Sequence, residues 1–349
     1  MTSHTTENLR GVSAVSQTVA WASGTHGTYL RTSDGEHWTT AQVPGAESLD
    51  FRGAVAFSGE EAFLMSAGPG DQSRIYHTTD AGQHWQLQFS NTNPKGFFDS
   101  IAFWDAKHGI VLGDPVLDDS GKLKFELLAT DDGENWKPLV PTNLPVAEEK
   151  EGAFAASNTC LAMNGDNLWF ATGGSVARVF HSSDRGRTWD VANTPIVHGT
   201  DSTGIFSIAF RDAVHGEIAG GDYKHPNDDG PNLAFTSDGG KTWSLAQIRP
   251  QAYFSAVAYD RAVNAEAIRQ ASEAVGEESV KSRILKPKPA PPERLFIVGQ
   301  DFVFDFRPPH NPRRIGAPRH SQQKFNAVSA LPNGGALVVG ANGTIAMIP

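Results

Sequence analysis

Carboxylates, cations and aromatic side chains interrupt the glycine-rich segments of this 349-residue chain at several places. They lie beside glycines or at the ends of apolar runs, and they comprise Asp99, Asp114, Glu151, Arg178, Asp222, Tyr223, Lys224, His225 and Tyr253. Side chains of these types on one concave surface are typical of a site for a carbohydrate or another polar ligand. A facing carboxylate pair drawn from Asp99, Glu151 and Asp222 could also supply acid and base at a glycosidic bond.

Each of these residues also has an ordinary structural interpretation. An aspartate that follows glycine at a strand end is a good turn residue, and histidines in loops are usually solvated. His198 and His225 lie on different segments, and no short His/Asp spacing fixes a coordination shell around them. We therefore expect no metal and no cofactor, and both the ligand-binding and the structural interpretations stay open.

Composition excludes several classes of partner. The 29 Lys and Arg against 39 Asp and Glu give a net charge of −10, which lacks the basic field that binding of a phosphate backbone requires. The single cysteine, Cys160, excludes an internal disulfide and a Cys-based zinc site. No apolar run approaches the ~18 residues of a membrane span. We expect a monomer that binds no nucleic acid and has no membrane span.

The first six residues, Met1 to Thr6, have neither a basic nor an apolar stretch of the kind found in a signal peptide. A leader that had been replaced by an initiator methionine would leave the same polar start. We therefore expect a periplasmic or secreted protein if a signal peptide has been removed, and the sequence indicates no compartment otherwise.

A repeat is the strongest signal in the chain. Five segments, at 32–38, 78–85, 130–136, 182–189 and 236–243, place a glycine three residues before a tryptophan, and they recur about 50 residues apart. We call them the tryptophan turns. Their tryptophans are Trp38, Trp85, Trp136, Trp189 and Trp243, and the aspartates assigned to them are Asp34, Asp80, Asp131, Asp184 and Asp238.

The composition of the tryptophan turns predicts a structural role. The aspartate accepts hydrogen bonds from backbone N–H groups, glycine supplies a positive φ, and the tryptophan packs back over the turn. A catalytic residue is needed once per site, whereas this aspartate recurs in every turn. In four turns it lies five residues before the tryptophan; in the first, Ser33 holds that position, which predicts a distorted or shorter turn there.

Strand pairs between the turns predict the fold. The segments 97–114 and 205–222 are two copies of one unit, and similar strand pairs bring the total to seven. Four strands per unit, repeated seven times, specify an all-β fold, a single seven-bladed β-propeller of four-stranded antiparallel blades over residues 1–349. The last unit, 325–349, has three strands, so we expect the N-terminal segment to pair with it.

The sixth unit departs from the repeat because it lacks a tryptophan turn. Residues 264–285 have the apolar periodicity of an amphipathic helix, and the proline-rich segment 286–292 follows as a stiff linker. We expect residues 262–293 to form a helical insertion within blade six rather than a second domain.

The tryptophan turns resemble the Asp-box, or BNR, repeat. The combination of Thr236-Ser237-Asp238-Gly239-Gly240-Lys241-Thr242-Trp243 with glycine-bounded strand pairs is similar to the photosystem II stability/assembly factor family and its bacterial relatives. The resemblance covers nearly the whole chain apart from residues 264–292, and it implies the propeller fold.

For function, the resemblance implies two classes, because Asp-box propellers include assembly factors, receptors and glycosidases. One is a non-enzymatic recognition or assembly propeller that binds a polypeptide or glycan. The other is a glycan-active enzyme, a glycoside hydrolase or lyase, with carboxylates at the channel mouth. A sialidase is excluded because its Arg-Ile-Pro segment is missing; the nearest sequence is Phe51-Arg52-Gly53-Ala54.

Propeller topology predicts where a site lies. The turns between strands three and four, which carry the tryptophans, share one face of the ring. The loops between strands two and three and between blades share the opposite face, where the irregular segments of this chain fall. We expect the ligand-binding residues to surround the channel mouth on that opposite face.

Overall fold

The structure, a computed structural model, describes residues 1–246, 252–261, 294–306, 313–316 and 324–349. Its strands form seven antiparallel sheets, which confirms the seven-bladed propeller. Blades 1 to 3 comprise β1 Leu9–Ala14, β2 Ala20–Gly24, β3 Thr28–Thr32, β4 Thr39–Gln42; β5 Asp50–Ala56, β6 Ala62–Ala67, β7 Arg74–Thr78, β8 Gln86–Ser90; β9 Phe98–Phe103, β10 Gly109–Leu117, β11 Leu123–Thr130 and β12 Lys137–Pro138. A short 3-10 helix, Gly70–Gln72, precedes β7.

Blades 4 to 7 continue the same order. They comprise β14 Leu161–Asn164, β15 Asn167–Ala171, β17 Arg178–Ser182, β18 Asp190–Asn193; β19 Thr203–Phe210, β20 Gly216–Asp222, β21 Leu233–Thr236, β22 Ser244–Leu245; β23 Phe254–Tyr259, β24 Leu295–Gly299, β25 Phe302–Phe306, β26 Arg313–Gly316; and β27 Phe325–Ala330, β28 Ala336–Gly340, β29 Ile345–Ile348. Two short strands, β13 Glu151–Gly152 and β16 Gly173–Gly174, extend the sheet of blade 5 to six strands.

The hydrophobic core lies between neighbouring blades. Ile205 and Ile218 of blade 5, for example, pack with Trp169 and Val179 of blade 4 in one buried cluster. Trp169 also stacks on Phe210 at a centroid distance of 3.7 Å, and its indole N–H donates to the Gly239 carbonyl of the next blade's turn at 2.8 Å. Because both faces of the inner strands are buried against neighbouring blades, these strands are apolar on both faces, whereas outermost strands such as β4 and β18 are largely exposed.

Single hydrogen bonds and apolar packing, rather than a fourth strand, join the last blade to the first. The described residues before Leu9 form no strand, so the predicted pairing of this segment is limited to single contacts, such as the Gly343 N–H donating to the Glu7 carbonyl at 2.8 Å. Asn326 Nδ2 donates to the Leu9 carbonyl at 2.7 Å, and the Ala14 N–H donates to Ser329 Oγ at 3.0 Å. The first six residues are polar and lack the alternation of a strand, so they gain little by joining a sheet.

The predicted insertion at residues 262–293 lies outside the described residues. Within the described ranges, no helix combines the length and the hydropathy needed to cross a membrane.

Each tryptophan turn is held by a network between one hydroxyl and one carboxylate. In the third turn Thr130 Oγ1 donates to Asp132 Oδ1 at 3.1 Å, and the same oxygen accepts the Asn135 N–H at 2.8 Å. The capping carboxylate is therefore Asp132, not Asp131 as the alignment on tryptophan predicted. The hydroxyl, two residues before the aspartate in all five turns, is the better reference point.

When the aspartate is assigned from the hydroxyl, the tryptophan turns have two lengths. Asp34 and Asp132 lie four residues before their tryptophans, whereas Asp80, Asp184 and Asp238 lie five before theirs. The first turn is thus of the shorter kind, and the third shares its geometry. The backbone N–H of His84 holds the pKa of Asp80 down to about 2, which is the signature of a carboxylate that stabilises the turn in its charged form.

Replacing Asp132 by Ala should destabilise the fold, because the Glu134 and Asn135 N–H groups lose their acceptor. We expect a decrease in Tm of about 1–3 °C at pH 7, by analogy with the loss of a helix cap in a chain of this size. Asp131→Ala is the matched control, since both side chains are exposed. Equal decreases for the two variants in thermal melts would contradict the assignment.

Candidate ligand-binding site at the channel mouth

A cavity of about 530 Å³ opens on the channel axis, and we call it the channel-mouth cavity. Its lining comes mainly from the innermost strands of the blades, which begin on the face opposite the tryptophan turns. The lining residues are Arg10, Arg52, Phe97, Asp99, Asp114, Ala153, Phe154, Ala155, Ala156, Phe206, Tyr223, Tyr253, Ser255, Gln300 and Asn326.

A β-bulge presents many of these side chains. The register of the innermost strand is interrupted in six blades, and in each the residue skipped by the pairing lines the cavity: Arg10, Arg52, Asp99, Phe206, Ser255 and Asn326. Asp114, in the second strand of blade 3, is skipped in the same way. A bulge adds a residue to one strand and redirects its side chain. The ring of bulges therefore turns a set of side chains towards one central space.

This arrangement has a sequence signal that the site prediction missed. The bulged residue follows a buried apolar residue and precedes Gly, Ser or Ala, as in Leu9-Arg10-Gly11 and Phe51-Arg52-Gly53. Glycine is required at Gly11, where a Cβ would approach the Arg52 carbonyl to 2.8 Å. A search of the repeats for this three-residue pattern would have identified Arg10, Arg52, Phe206 and Asn326 as cavity residues. In blade 4, β14 pairs in unbroken register, and the connection before it supplies Ala153 to Ala156 instead.

Two guanidinium groups share one carboxylate at the wall of the cavity. Arg52 Nε donates to Asp50 Oδ2 at 2.9 Å, and Arg10 Nη2 lies 3.5 Å from the same oxygen. Arg52 also donates through Nη1 to the Ala155 carbonyl at 2.8 Å. Arg10 Nε is buried and has no hydrogen-bond partner among the described residues. Positive charge at this wall is thus only partly compensated.

Two carboxyl groups of blade 3 line the same cavity. Asp99 is 1% exposed, and neither of its carboxyl oxygens accepts a hydrogen bond of good geometry in the described part of the chain, although the nearby Ala155 N–H and Arg52 guanidinium favour its charged form. Burial raises the pKa of Asp99 well above its ordinary value, and the neighbouring Asp114 raises it further. Burial also raises the pKa of Asp114 to about 6, although its Oδ1 accepts the Ala153 N–H at 3.0 Å. A buried acid without a partner is costly to the fold and points to a ligand.

Aromatic rings form the third part of the lining. Phe206 stacks on Phe154 with ring centroids 3.9 Å apart, and Tyr253 and Tyr223 meet Phe206 edge-on at 4.7 and 6.1 Å. Burial raises the pKa of Tyr253, so its hydroxyl keeps its proton and remains a donor. Tyr223 is 43% exposed and marks the outer rim. The cavity thus joins an apolar wall to groups of both charges.

Glu151 and Arg178, both predicted as ligand-binding, bind each other instead. Arg178 Nε donates to Glu151 Oε1 at 2.9 Å, and Arg178 Nη2 donates to Glu151 Oε2. Thr172 Oγ1 and the Glu148 N–H complete the shell of the carboxylate at 2.7 and 2.8 Å. Both side chains are buried, and breaking such a pair leaves a charge without a partner. Glu151 is therefore occupied structurally and is not available as a catalytic acid or base.

The segment from Asp222 to His225 is likewise committed to local contacts. Asp222 Oδ1 accepts the Lys224 N–H at 2.9 Å, and its Oδ2 lies 2.8 Å from His225 Nδ1. Lys224 Nζ in turn lies 3.0 Å from Asp201 Oδ1. Of this segment, Tyr223 alone lines the channel-mouth cavity. The structure therefore brings together Asp99, Asp114, Tyr223 and Tyr253 from the predicted set and separates the other five.

A second cavity of about 400 Å³, the outer cavity, adjoins the first. The two share Asp114, Ala153 and Phe154. The outer cavity is completed by Lys95, Pro115, Lys150, Glu151, Gly152, Gly173, Gly174 and Asp201. In neither cavity do three or more His, Cys, Asp or Glu of the described residues form a group that could hold a metal ion.

Comparison with solved structures supports the fold alone. The chain is similar to YCF48 bound to D1 peptide (TM-score 0.63, 13% identity, covering 100% of this chain and 95% of that one) and to YCF48 from Cyanidioschyzon merolae (TM-score 0.57, 17% identity, 99% and 96%). It is also similar to the Niastella koreensis GH74 enzyme, with a TM-score of 0.54 and 13% identity over 85% of this chain and 45% of that one. No protein-family model and no curated protein matches the chain.

The raised pKa of Asp99 makes a pH-dependent prediction. The unfolded chain releases this proton near pH 4, whereas the folded protein holds it to higher pH. The protonated carboxyl thus contributes stability that is complete below about pH 4 and is lost as pH rises through the folded pKa. Asp99→Asn cannot ionise, so its Tm relative to the native protein should increase between about pH 4 and pH 8.

Asp222→Asn is the control with the opposite sign. Desolvation opposes the shift, but hydrogen bonds with His225 and Ser202 lower the pKa of Asp222 in the folded protein. Its carboxylate therefore adds stability above about pH 4 that is lost as pH falls. The Tm of the Asp222→Asn variant should therefore lie below that of the native protein above about pH 4, and the difference should shrink as pH falls below pH 4. A relative Tm of Asp99→Asn that does not increase above pH 4 would rule out the assignment at Asp99.

Proposed function

We propose that this protein is a non-enzymatic recognition propeller that binds an extended polypeptide segment at the channel-mouth cavity. One observation carries the proposal: a buried donor without a partner among the described residues, a buried carboxyl without one and an aromatic wall face the same space. Arg10 Nε is the donor, Asp99 is the carboxyl, and Phe206 with its neighbours forms the wall.

A polypeptide supplies what each of these groups lacks. Its carbonyl oxygens can accept from Arg10, its amide N–H groups can donate to Asp99, and its side chains can pack on Phe206 and Tyr253. Because an unsatisfied buried polar group costs about 1–3 kcal/mol, a ligand that satisfies two of them gains affinity beyond the area it buries. The cavity of about 530 Å³ also lies within the usual range of ligand sites.

The similarity to YCF48 bound to a D1 peptide supports the class of ligand. A propeller of the same fold there takes a peptide. The likeness does not transfer residues, since the identity is 13%. The proposal therefore depends on the lining of the cavity in this chain.

A glycan-active enzyme is the second candidate, and the pair Asp99 and Asp114 favours it. Both line one cavity, and burial raises the pKa of both, as in a carboxyl group that acts as a general acid. Glu151 and Asp222 no longer support it, because their carboxylates are engaged within the protein. A glycosidase mechanism would have to use Asp99 and Asp114 alone.

Selection from a displayed library of random peptides, each about a dozen residues long, tests the proposal. We expect the native protein to enrich a family of peptides. Asp99→Ala and Tyr223→Ala should each weaken binding of a synthetic member at least tenfold by fluorescence polarisation, because they remove the acceptor and the rim of the wall. Asp222→Ala is the matched control: the same change on the same face but outside the cavity lining, with affinity expected to stay unchanged.

The alternative outcomes are equally specific. Failure to enrich any peptide, or equal binding by all four proteins, contradicts polypeptide recognition at this cavity. An oligosaccharide panel is screened in parallel, with detection of new reducing ends and of unsaturated products. Release of product that is abolished by Asp99→Ala would establish the glycan-active enzyme instead.

A further inference from the structure

The outer cavity extends the channel-mouth cavity rather than forming a separate site. Phe154 and Ala153 contribute to both, and Asp114 stands at the boundary. A ligand that packs on Phe154 from the channel side therefore reaches the outer cavity by continuing along the same wall. An extended chain has the shape to occupy both.

The charges of the outer cavity are unequally compensated. Glu151 is held by Arg178, and Asp201 is paired with Lys224 at 3.0 Å. Lys95 and Lys150, in contrast, are exposed and form no ion pair with the described residues. Among the lining residues of the outer cavity other than Asp114, the charge without an ion pair is thus positive, although the chain as a whole carries −10.

Main chain, not side chains, forms the floor between these lysines and the channel. Gly174 has φ +94°, and a Cβ there would collide with the Lys150 carbonyl oxygen. A Cβ on Gly173 would collide with the Phe154 ring. Lys150 itself has φ 63°, an uncommon conformation for a residue with a side chain, and its carbonyl accepts the Ser175 N–H at 3.2 Å. The local fold therefore keeps the floor free of side chains and fixes the backbone that carries Lys150.

We propose that the bound polypeptide runs from the channel-mouth cavity across Phe154 into the outer cavity, and that it carries an acidic residue there, contacted by Lys95 and Lys150. This inference rests on the proposed function and adds to it the charge and the course of the ligand. Asp99 at the inner end, Asp114 at the boundary and two lysines at the outer end give the groove a different charge at each end. A peptide with its acidic residue placed at one end has one favourable orientation in such a groove.

Charge reversal tests the inference with the same displayed library. Peptides selected by the native protein should be enriched in Asp and Glu near one end. The double variant Lys95→Glu/Lys150→Glu should bind a selected acidic peptide about tenfold more weakly at low salt, with the difference shrinking as salt is raised, and should itself select Lys or Arg at those positions. Lys137→Glu/Lys241→Glu is the control, because it makes the same change of charge outside both cavities.

The outcomes separate this inference from the proposed function. Peptides that are selected and lost with Asp99→Ala, but that show no acidic enrichment and bind the double variant normally, overturn the inference while polypeptide binding stands. No selected peptide at all overturns both. Equal weakening by the two double variants would assign the effect to net charge and would also overturn the inference. Thermal melts of both double variants verify that they are folded.

Discussion

The constraint on which the site depends is the alternation of side chains along a β-strand. In a regular strand, successive residues point to opposite faces, and in the innermost strands of a propeller both faces pack against neighbouring blades. A regular strand therefore directs neither set of side chains into the channel. A bulge adds one residue and escapes this alternation. Here the bulge recurs near the start of the innermost strand, after a buried residue such as Leu9 or Phe51. The same backbone device therefore presents arginine, aspartate, phenylalanine, serine or asparagine to the channel without disturbing the blade interfaces.

The residue at the bulged position differs from blade to blade, whereas its neighbours follow the repeat. Its neighbours are constrained by packing, with an apolar residue before it and a small one after it. The bulged residue lines the channel-mouth cavity instead, and it varies in size and charge. Asp99, buried without a partner among the described residues, and Arg10, with its Nε unsatisfied there, are each unfavourable for folding by themselves. A fold stabilised by seven similar interfaces can tolerate such residues at one end of its channel. Unfavourable local features such as these buried polar groups are common at binding sites, where the rest of the fold compensates for them.

How much of this was predictable depends on the range of the interaction. The tryptophan turns and strand pairs are local patterns, and they predicted the number of blades. The placement of Asp99 and Asp114 at the channel followed from topology. The pairing of Glu151 with Arg178 did not, because it depends on the short strands β13 and β16 joining the sheet of blade 5, which no local pattern indicates. Asp131 was misassigned for a simpler reason: the turns have two lengths, so counting from the tryptophan shifts the register in the third.

The aspartates of the tryptophan turns and the two aspartates of the channel-mouth cavity have pKa values shifted in opposite directions. On the turn face, hydrogen bonds from His84 to Asp80 lower the pKa of that carboxyl to about 2, so the charged form stabilises the turn. At the channel mouth, burial and the neighbouring Asp114 raise the pKa of Asp99 well above its ordinary value, so its charged form is unfavourable in the protein alone. An aspartate thus stabilises the fold where its carboxylate already accepts hydrogen bonds from the chain. Where these hydrogen bonds are missing, the carboxyl group is available to a ligand. This difference in hydrogen bonding, rather than residue identity or exposure, is the physical reason for proposing a binding site at the channel mouth.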